Sequence, residues 1–288
     1  MSVPWTYSAL PFRPTGTWPN GARLALWVAL GVESYRPDDG MTEDILPRGP
    51  APDLVNAAWR DYGNRVGAFR LLQRLSDIGI RPAVLLNTDL YDETPAVLDA
   101  ARAVGAEIVG HGRSNSDSLP ALAEGSEAAY VADVAARILA EEGAPPGGWS
   151  SPWLAHTPTS VTSLAAAGFR YLLDFRLDDQ PVWLETEAGR LLAIPYAAEL
   201  NDSTTMIGRQ MTARDFADAI LDEAHELLTS DRPVVMSVVL HSFISGQPWR
   251  LRPIAEAFAA VAGLEGVWCA TPAEIYAAVL DNPDLAAK

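Results

Sequence analysis

At 288 residues the chain can bury a sizeable α/β core, and an apolar share of 49% with 20% charged residues excludes a disordered polymer. A net charge of −16 argues against nucleic acid, an anionic membrane surface or a strongly anionic polymer as partner or substrate. The lone cysteine, Cys269, excludes an internal disulfide and any cysteine-built metal site.

Residues 1–21 hold four prolines, two glycines and two tryptophans without a period. They read as an ordered arm on the surface or on a neighbouring subunit, because two tryptophans are costly to leave in water. No charge precedes Arg13, and no apolar run is long enough for a signal peptide or a membrane span. A cytoplasmic protein is expected. Ala22–Val32 (ARLALWVALGV) predicts a first buried strand that ends at Glu33. The irregular stretch 34–56, with SYRPDDG and LPRGPAP, exceeds the usual connection length and reads as a functional lid or a subunit contact.

Arg60–Gly79 has apolar residues at helical spacing, with Gly79 placed for a left-handed cap. Pro82–Leu86 reads as a short strand, and 95–104 as a helix with Pro95 at its first position. Glu107–Val109 is a third strand running into GHGRSN, and a long acidic helix is expected from about Leu119 to Glu142. Trp149 begins the next strand, and Thr157-Pro158 opens a helix ending at Gly168. Between Tyr171 and Tyr196, YLLDF, PVWLE and RLLAIPY suggest inserted β-hairpins. A helix at 213–229 leads into Pro233–Leu240, an uncharged valine-rich run that reads as a central strand buried on both faces and stops at His241. Helix 253–263, strand Val267–Cys269 and helix 272–280 close the chain. Strand and helix alternate at least six times. No Gly-rich phosphate loop follows the first strand, so a barrel is preferred to an open dinucleotide-binding sheet.

In parallel α/β folds substrate meets the C-terminal ends of the strands. The polar residues collected there are Glu33, Asn87 and Asp89, His111 and Asn115, Ser150 and Ser151, Asp174, Asp178 and Asp179, and His241. His225 reads as a helix-surface residue, and His156 is open to either a site or a structural role. A carboxylate with two imidazoles can hold a divalent metal that leaves a position open for water. The same three groups can instead work as a metal-free acid/base pair. Gly-x-Ser-x-Gly is absent, which ranks activated water above a covalent nucleophile.

The ordered series ALWVALGVES, RDYGNRVGAFRLLQRL, EIVGHGRSN, GGWSSPW, GFRYLLDFRLDDQP, IPYAAELND and VVLHSFISGQPWRLRP resembles the polysaccharide deacetylase superfamily, in the branch of the metal-independent allantoinases. The resemblance spans about residues 20–280. It implies a distorted (β/α)7 barrel, one catalytic domain over 1–288, and a homo-oligomer, dimer or tetramer. It also implies a hydrolase of a carbon–nitrogen amide bond. Glu33 falls in the metal-binding slot, Gly31 stands where the family's catalytic-base aspartate is found, and His111 matches the first histidine of HxxxH. Asn115 replaces the second histidine, and Ser150 the arginine of RxPY. His241 keeps the general-acid position.

An asparagine oxygen is a far poorer zinc ligand than imidazole. The leading expectation is therefore cofactor-free ring opening of a small cyclic ureide or imide. Glu33, His111 and His241 would be catalytic, and Asn115, Ser150, Trp153, Asp178, Asp179, Glu199, Asn201 and Gln247 would bind substrate. Trp149, Trp153, Tyr196 and Trp249 could flank a flat ring. The alternatives are a deacetylase using a divalent metal such as zinc on Glu33, His111 and Asn115, and a non-catalytic binding protein on a decayed barrel.

Overall fold

The computed structural model describes residues 3–37 and 39–287. One sheet contains β1 (Leu24–Val32), β2 (Ala83–Leu86), β3 (Glu107–Gly110), β4 (Gly148–Trp149), β5 (Tyr171–Leu172), β6 (Val182–Thr186), β7 (Gly189–Ala193), β8 (Val234–His241) and β9 (Val267–Cys269). Eight of these strands take parallel partners: seven, in the order β7-β5-β4-β3-β2-β1-β8, curl into a distorted barrel walled by helices, and β9 adds to β1. β6 is the exception, an antiparallel hairpin partner of β7. β1 is the spine: β8 pairs along its length from Leu24 to Gly31, while its other edge takes β9 at Leu24–Leu26 and β2 at Ala29–Val32.

Between β8 and the far edge the barrel closes through irregular chain. The Val235 amide donates to the Asp179 carbonyl at 2.8 Å, the Val239 amide to the Leu200 carbonyl at 2.9 Å, and Asn201 bridges Val239 in parallel.

Side chains of a strand alternate between faces, and here both faces are dry. Leu24, Leu26, Val28, Leu30 and Val32 of β1, with Val234, Met236, Val238 and Leu240 of β8, pack outward under the helices. Ala25, Trp27 and Ala29, with Val235 and Val239, fill the barrel interior with Leu85, Val109, Tyr171 and Tyr196. The same alternation carries Gly31 and Glu33 inward at the top of β1 and His241 inward at the top of β8, so two-residue periodicity aims the polar groups into the barrel mouth.

The arm before β1 lies on this chain's own surface. The Trp18 indole donates to the Val234 carbonyl at 2.8 Å, Trp5 packs on Phe175 with ring centroids 5.9 Å apart, and Arg13 pairs with Asp178. Among the described residues no helix is long and apolar enough to cross a membrane.

Several boundaries differ from the sequence expectation. The helix expected from Arg60 begins at Leu54, where the Asp53 carboxylate accepts from the Asn56 amide, and it passes through a wide turn at Gly63–Gly67 before ending at the left-handed Gly79. The long acidic helix starts at Glu127, because Pro120 and the left-handed Gly125 confine Leu119–Ala121 to a single turn. The helix placed at 253–263 begins at Pro248 and tolerates Pro253 inside its first turns. Of the expected hairpins only β6–β7 forms, and β5 joins β7 in parallel.

Gly67 shows how tightly the helix that opens at Leu54 meets the loop after β8: a Cβ there would collide with the Ser242 carbonyl oxygen and press on Gly246. Gly67→Ala is expected to destabilise the fold by about 1–3 kcal/mol, read as a lower denaturation midpoint with an unchanged slope.

Candidate active site

A small cavity of about 130 Å³ sits at the barrel mouth, and its wall includes Glu33, Tyr35, Glu43, His111, Asn115, Trp153, Tyr196, Asn201 and His241. A larger cleft of about 420 Å³ lies at the opposite end of β1, lined by residues 19–23 and 265–268, and contains no histidine.

Glu33 is the centre. Its Oε1 stands 3.4 Å from Nε2 of His241 and 3.8 Å from Nε2 of His111, while Oε2 accepts from the Tyr35 hydroxyl at 2.5 Å. Burial would raise the Glu33 carboxyl, but the His241 charge, the His111 contact and the Tyr35 hydrogen bond together hold it below the ordinary carboxylate value. Burial and the adjacent Glu33 charge push the Tyr35 hydroxyl well above its usual range, so it remains a donor. Gly31 leaves room for this contact, since a Cβ there would stand 3.0 Å from the His241 ring and 3.1 Å from Glu33 Oε1.

The two imidazoles are held differently. His111 Nδ1 lies 2.7 Å from the Ser150 carbonyl oxygen, which can only accept, so Nδ1 carries the proton and Nε2 faces Glu33. His241 Nδ1 lies 2.5 Å from Asp202 Oδ1. Asp202 is fully buried, and its other oxygen accepts from the His241 amide at 2.8 Å and the Ser245 hydroxyl at 2.5 Å. Burial alone would lower His241, yet Glu33, Asp202 and Glu43 push it up to about 10. At neutral pH His241 is an imidazolium facing a carboxylate.

The sequence-selected residues divide by position. Glu33, His111, His241, Asn115, Trp153 and Asn201 all line the cavity. Ser150 is buried just behind it, its carbonyl on His111 and its hydroxyl donating to Asp174 at 3.0 Å. The remaining four lie elsewhere. Asp178 is locked to Arg13, Asp179 pairs with Arg176 at 3.2 Å, Glu199 is exposed near Arg209, and Gln247 precedes the helix that starts at Pro248. The turn at 178–180 and the exposed loop at 199 carry these carboxylates away from the strand ends, so the structure does not bring them to the cavity.

Of the aromatics, Trp153 and Tyr196 line the cavity, whereas Trp149 packs on Phe169 in the outer core and Trp249 is 63% exposed. His156 resolves as a partner of Asp174 at 2.8 Å, its protonated form favoured by that carboxylate although burial opposes it.

Sequence reading missed Tyr35, Glu43 and the role of Asp202. The ELND stretch was visible, but 39 residues separate Asp202 from the histidine it holds, and only the Asn201–Val239 bridge brings them side by side.

The donors suit a zinc ion poorly. His111 Nε2 and Glu33 Oε1 are the two strong donors, Glu33 Oε2 is engaged by Tyr35, and the third donor is an amide oxygen of Asn115. Among the described residues no group of three His, Cys, Asp or Glu is arranged to hold a metal ion.

The curled seven-strand barrel is similar in fold to solved structures described as polysaccharide deacetylases and to the Puue allantoinase. No family model matches the chain. A Schizosaccharomyces pombe protein described as "Putative polysaccharide deacetylase" is 23% identical over 301 residues, covering 91% of each chain. Among solved structures, the Puue allantoinase superposes with a TM-score of 0.85 at 22% identity, covering 93% of this chain and 94% of that one. A "probable Polysaccharide deacetylase" from Pseudomonas aeruginosa PAO1 gives 0.83 at 22% identity, covering 93% and 95%.

Proposed function

We propose that the protein is a hydrolase of carbon–nitrogen bonds that opens a small cyclic ureide or imide with activated water and needs no metal. The observation that carries this reading is the Glu33 carboxylate set between two imidazoles, 3.4 Å from one and 3.8 Å from the other, in a cavity at the barrel mouth.

Glu33 Oε1 accepts a proton from water as its oxygen attacks the ring carbonyl, and His111 Nε2, 3.8 Å from the same carboxylate oxygen, helps to orient that water. His241 Nε2 gives its proton to the departing nitrogen as the carbon–nitrogen bond breaks, and Asp202 stabilises and orients the imidazolium beforehand. The proton taken by Glu33 returns to His241 across the 3.4 Å between them. Tyr35 keeps the carboxylate fixed by occupying its second oxygen. The allantoinase and deacetylase names among the similar proteins support amide hydrolysis, and the weak third donor at Asn115 supports the metal-free form of it.

A panel of allantoin, hydantoin, succinimide and dihydropyrimidine, with an N-acetylated sugar oligomer alongside, tests this directly. Ring opening that persists in a strong chelator is the expected result. Oligomer deacetylation abolished by chelator would replace this reading with a metal-dependent deacetylase, and binding without turnover of any compound would favour a decayed barrel.

A further inference from the structure

Glu43 comes from the long loop after β1, 10 residues beyond Glu33 in sequence, and yet lines the same cavity. It is held there. Arg60, 9% exposed and projecting from the helix that starts at Leu54, donates to the Glu43 carbonyl at 2.8 Å and to Asp44 Oδ1 at 2.5 Å. The same guanidinium lies 5.0 Å above the Tyr35 ring. Asn56 anchors the following turn through the amides of Ile45 and Leu46, each at 3.0 Å.

One Glu43 oxygen accepts from the Ser203 hydroxyl at 2.7 Å, and among the described residues nothing donates to the other. Across the catalytic group, Asn115 uses its amide nitrogen on the Tyr35 hydroxyl at 3.0 Å, which leaves its Oδ1 buried and without a partner. A buried acceptor without a donor is costly, and here it belongs to a residue of the cavity wall. The cavity wall thus holds two acceptors that the proposed catalysis does not use, the second Glu43 oxygen and the buried Asn115 Oδ1.

Resting on the reading of the site as a cyclic amidase, we infer that Glu43 is a specificity-determining residue. With Asn115 Oδ1 it selects a neutral ring that carries at least two N–H donors. Such a ring satisfies both acceptors. A ring with oxygen at one of those positions sets a lone pair against a carboxylate, and an anionic substrate meets the charges of Glu33 and Glu43 together.

The test compares hydantoin with succinimide, which has the same ring size and stays neutral but carries a CH2 in place of one N–H. Intrinsic reactivity cancels when the hydantoin-to-succinimide ratio of kcat/KM is compared between wild type and variant. Glu43→Ala is expected to lower that ratio by roughly 10- to 100-fold, mainly through KM for hydantoin. Glu43→Gln, which keeps the size and an acceptor oxygen, is expected to restore part of it. A ratio unchanged in Glu43→Ala overturns the assignment.

Should wild type open neither ring, the proposed reaction fails on these compounds, and the same pair is read as ligands by the rise in melting temperature. A larger rise with hydantoin that vanishes in Glu43→Ala upholds the recognition role. Equal rises, or none, overturn it.

Discussion

Replacing His241 by alanine is expected to lower kcat by roughly 10²–10⁴-fold, the typical contribution of one positioned proton donor. The expectation follows from its place in the barrel: Nε2 is the proton-bearing atom aimed at the Glu33 carboxylate, and Nδ1 is fixed by Asp202. Loss of a buried partner can unfold a protein by stranding the remaining charge. Asp202 is protected from that fate, because its Oδ2 keeps the amide of residue 241 and the Ser245 hydroxyl. The variant should therefore fold, which circular dichroism and a melting curve would establish, while single-turnover ring opening collapses. Turnover within threefold of wild type in a folded His241→Ala protein would remove this residue from the mechanism.

Asp202→Asn should move the alkaline limb of the pH–rate profile toward neutrality. The sign follows from the direction of the shift. In the proposed mechanism His241 acts in its protonated form, and it holds its proton up to about pH 10 against the penalty of burial through the charges of Glu33 and Asp202. Activity is therefore expected to stay flat through neutral pH and to fall as the pH passes about 10. The acidic limb lies below the ordinary carboxylate value, because Glu33 stays ionised to lower pH than a free glutamate. Removing the Asp202 charge, while keeping an oxygen to accept from Nδ1, takes away one of the two main supports, and a limb shift of roughly 1–3 units downward is the scale for one opposite charge at this distance. The acidic limb should hardly move. An alkaline limb that stays in place would mean that Asp202 only shapes the loop, and that another group sets the profile.

The two effects are linked through neighbouring structure. Asp202 reaches His241 only because the irregular segment before it pairs with β8, through the Val239 amide and the Asn201 bridge. Closing the barrel mouth by loop rather than by strand thus also delivers the carboxylate that keeps His241 charged.

Much of the architecture was written locally. The apolar runs at Ala22–Val32, charged only at Arg23, and at Pro233–Leu240 can only be strands buried on both faces, because no solvent-facing period interrupts them, and they became β1 and β8. Alternation along those strands also determined that Glu33 and His241 enter the barrel. Breakers determined some helix ends, as at Gly79, yet misled at Pro253, because a proline early in a helix looks the same in sequence as one that opens it. The three central groups, Glu33, His111 and His241, were legible because each follows directly from a recognisable strand.

Tertiary structure alone decided which loop carboxylates reach the cavity. Asp178, Asp179 and Glu199 follow strands as plausibly as Glu33 does, but a turn and the N-terminal arm bind or expose them. Asp202, Tyr35 and Glu43 reach it through pairings made across long stretches of chain, by a bridge to β8, by Glu33 and Asn115, and by Arg60. The sequence by itself determined the barrel and the inward direction of its polar strand ends, since period and hydrophobicity act over a few residues. The partners that set the charge on His241 and the acceptors facing the cavity were decided only in three dimensions, because loop placement depends on contacts between residues that no local pattern connects.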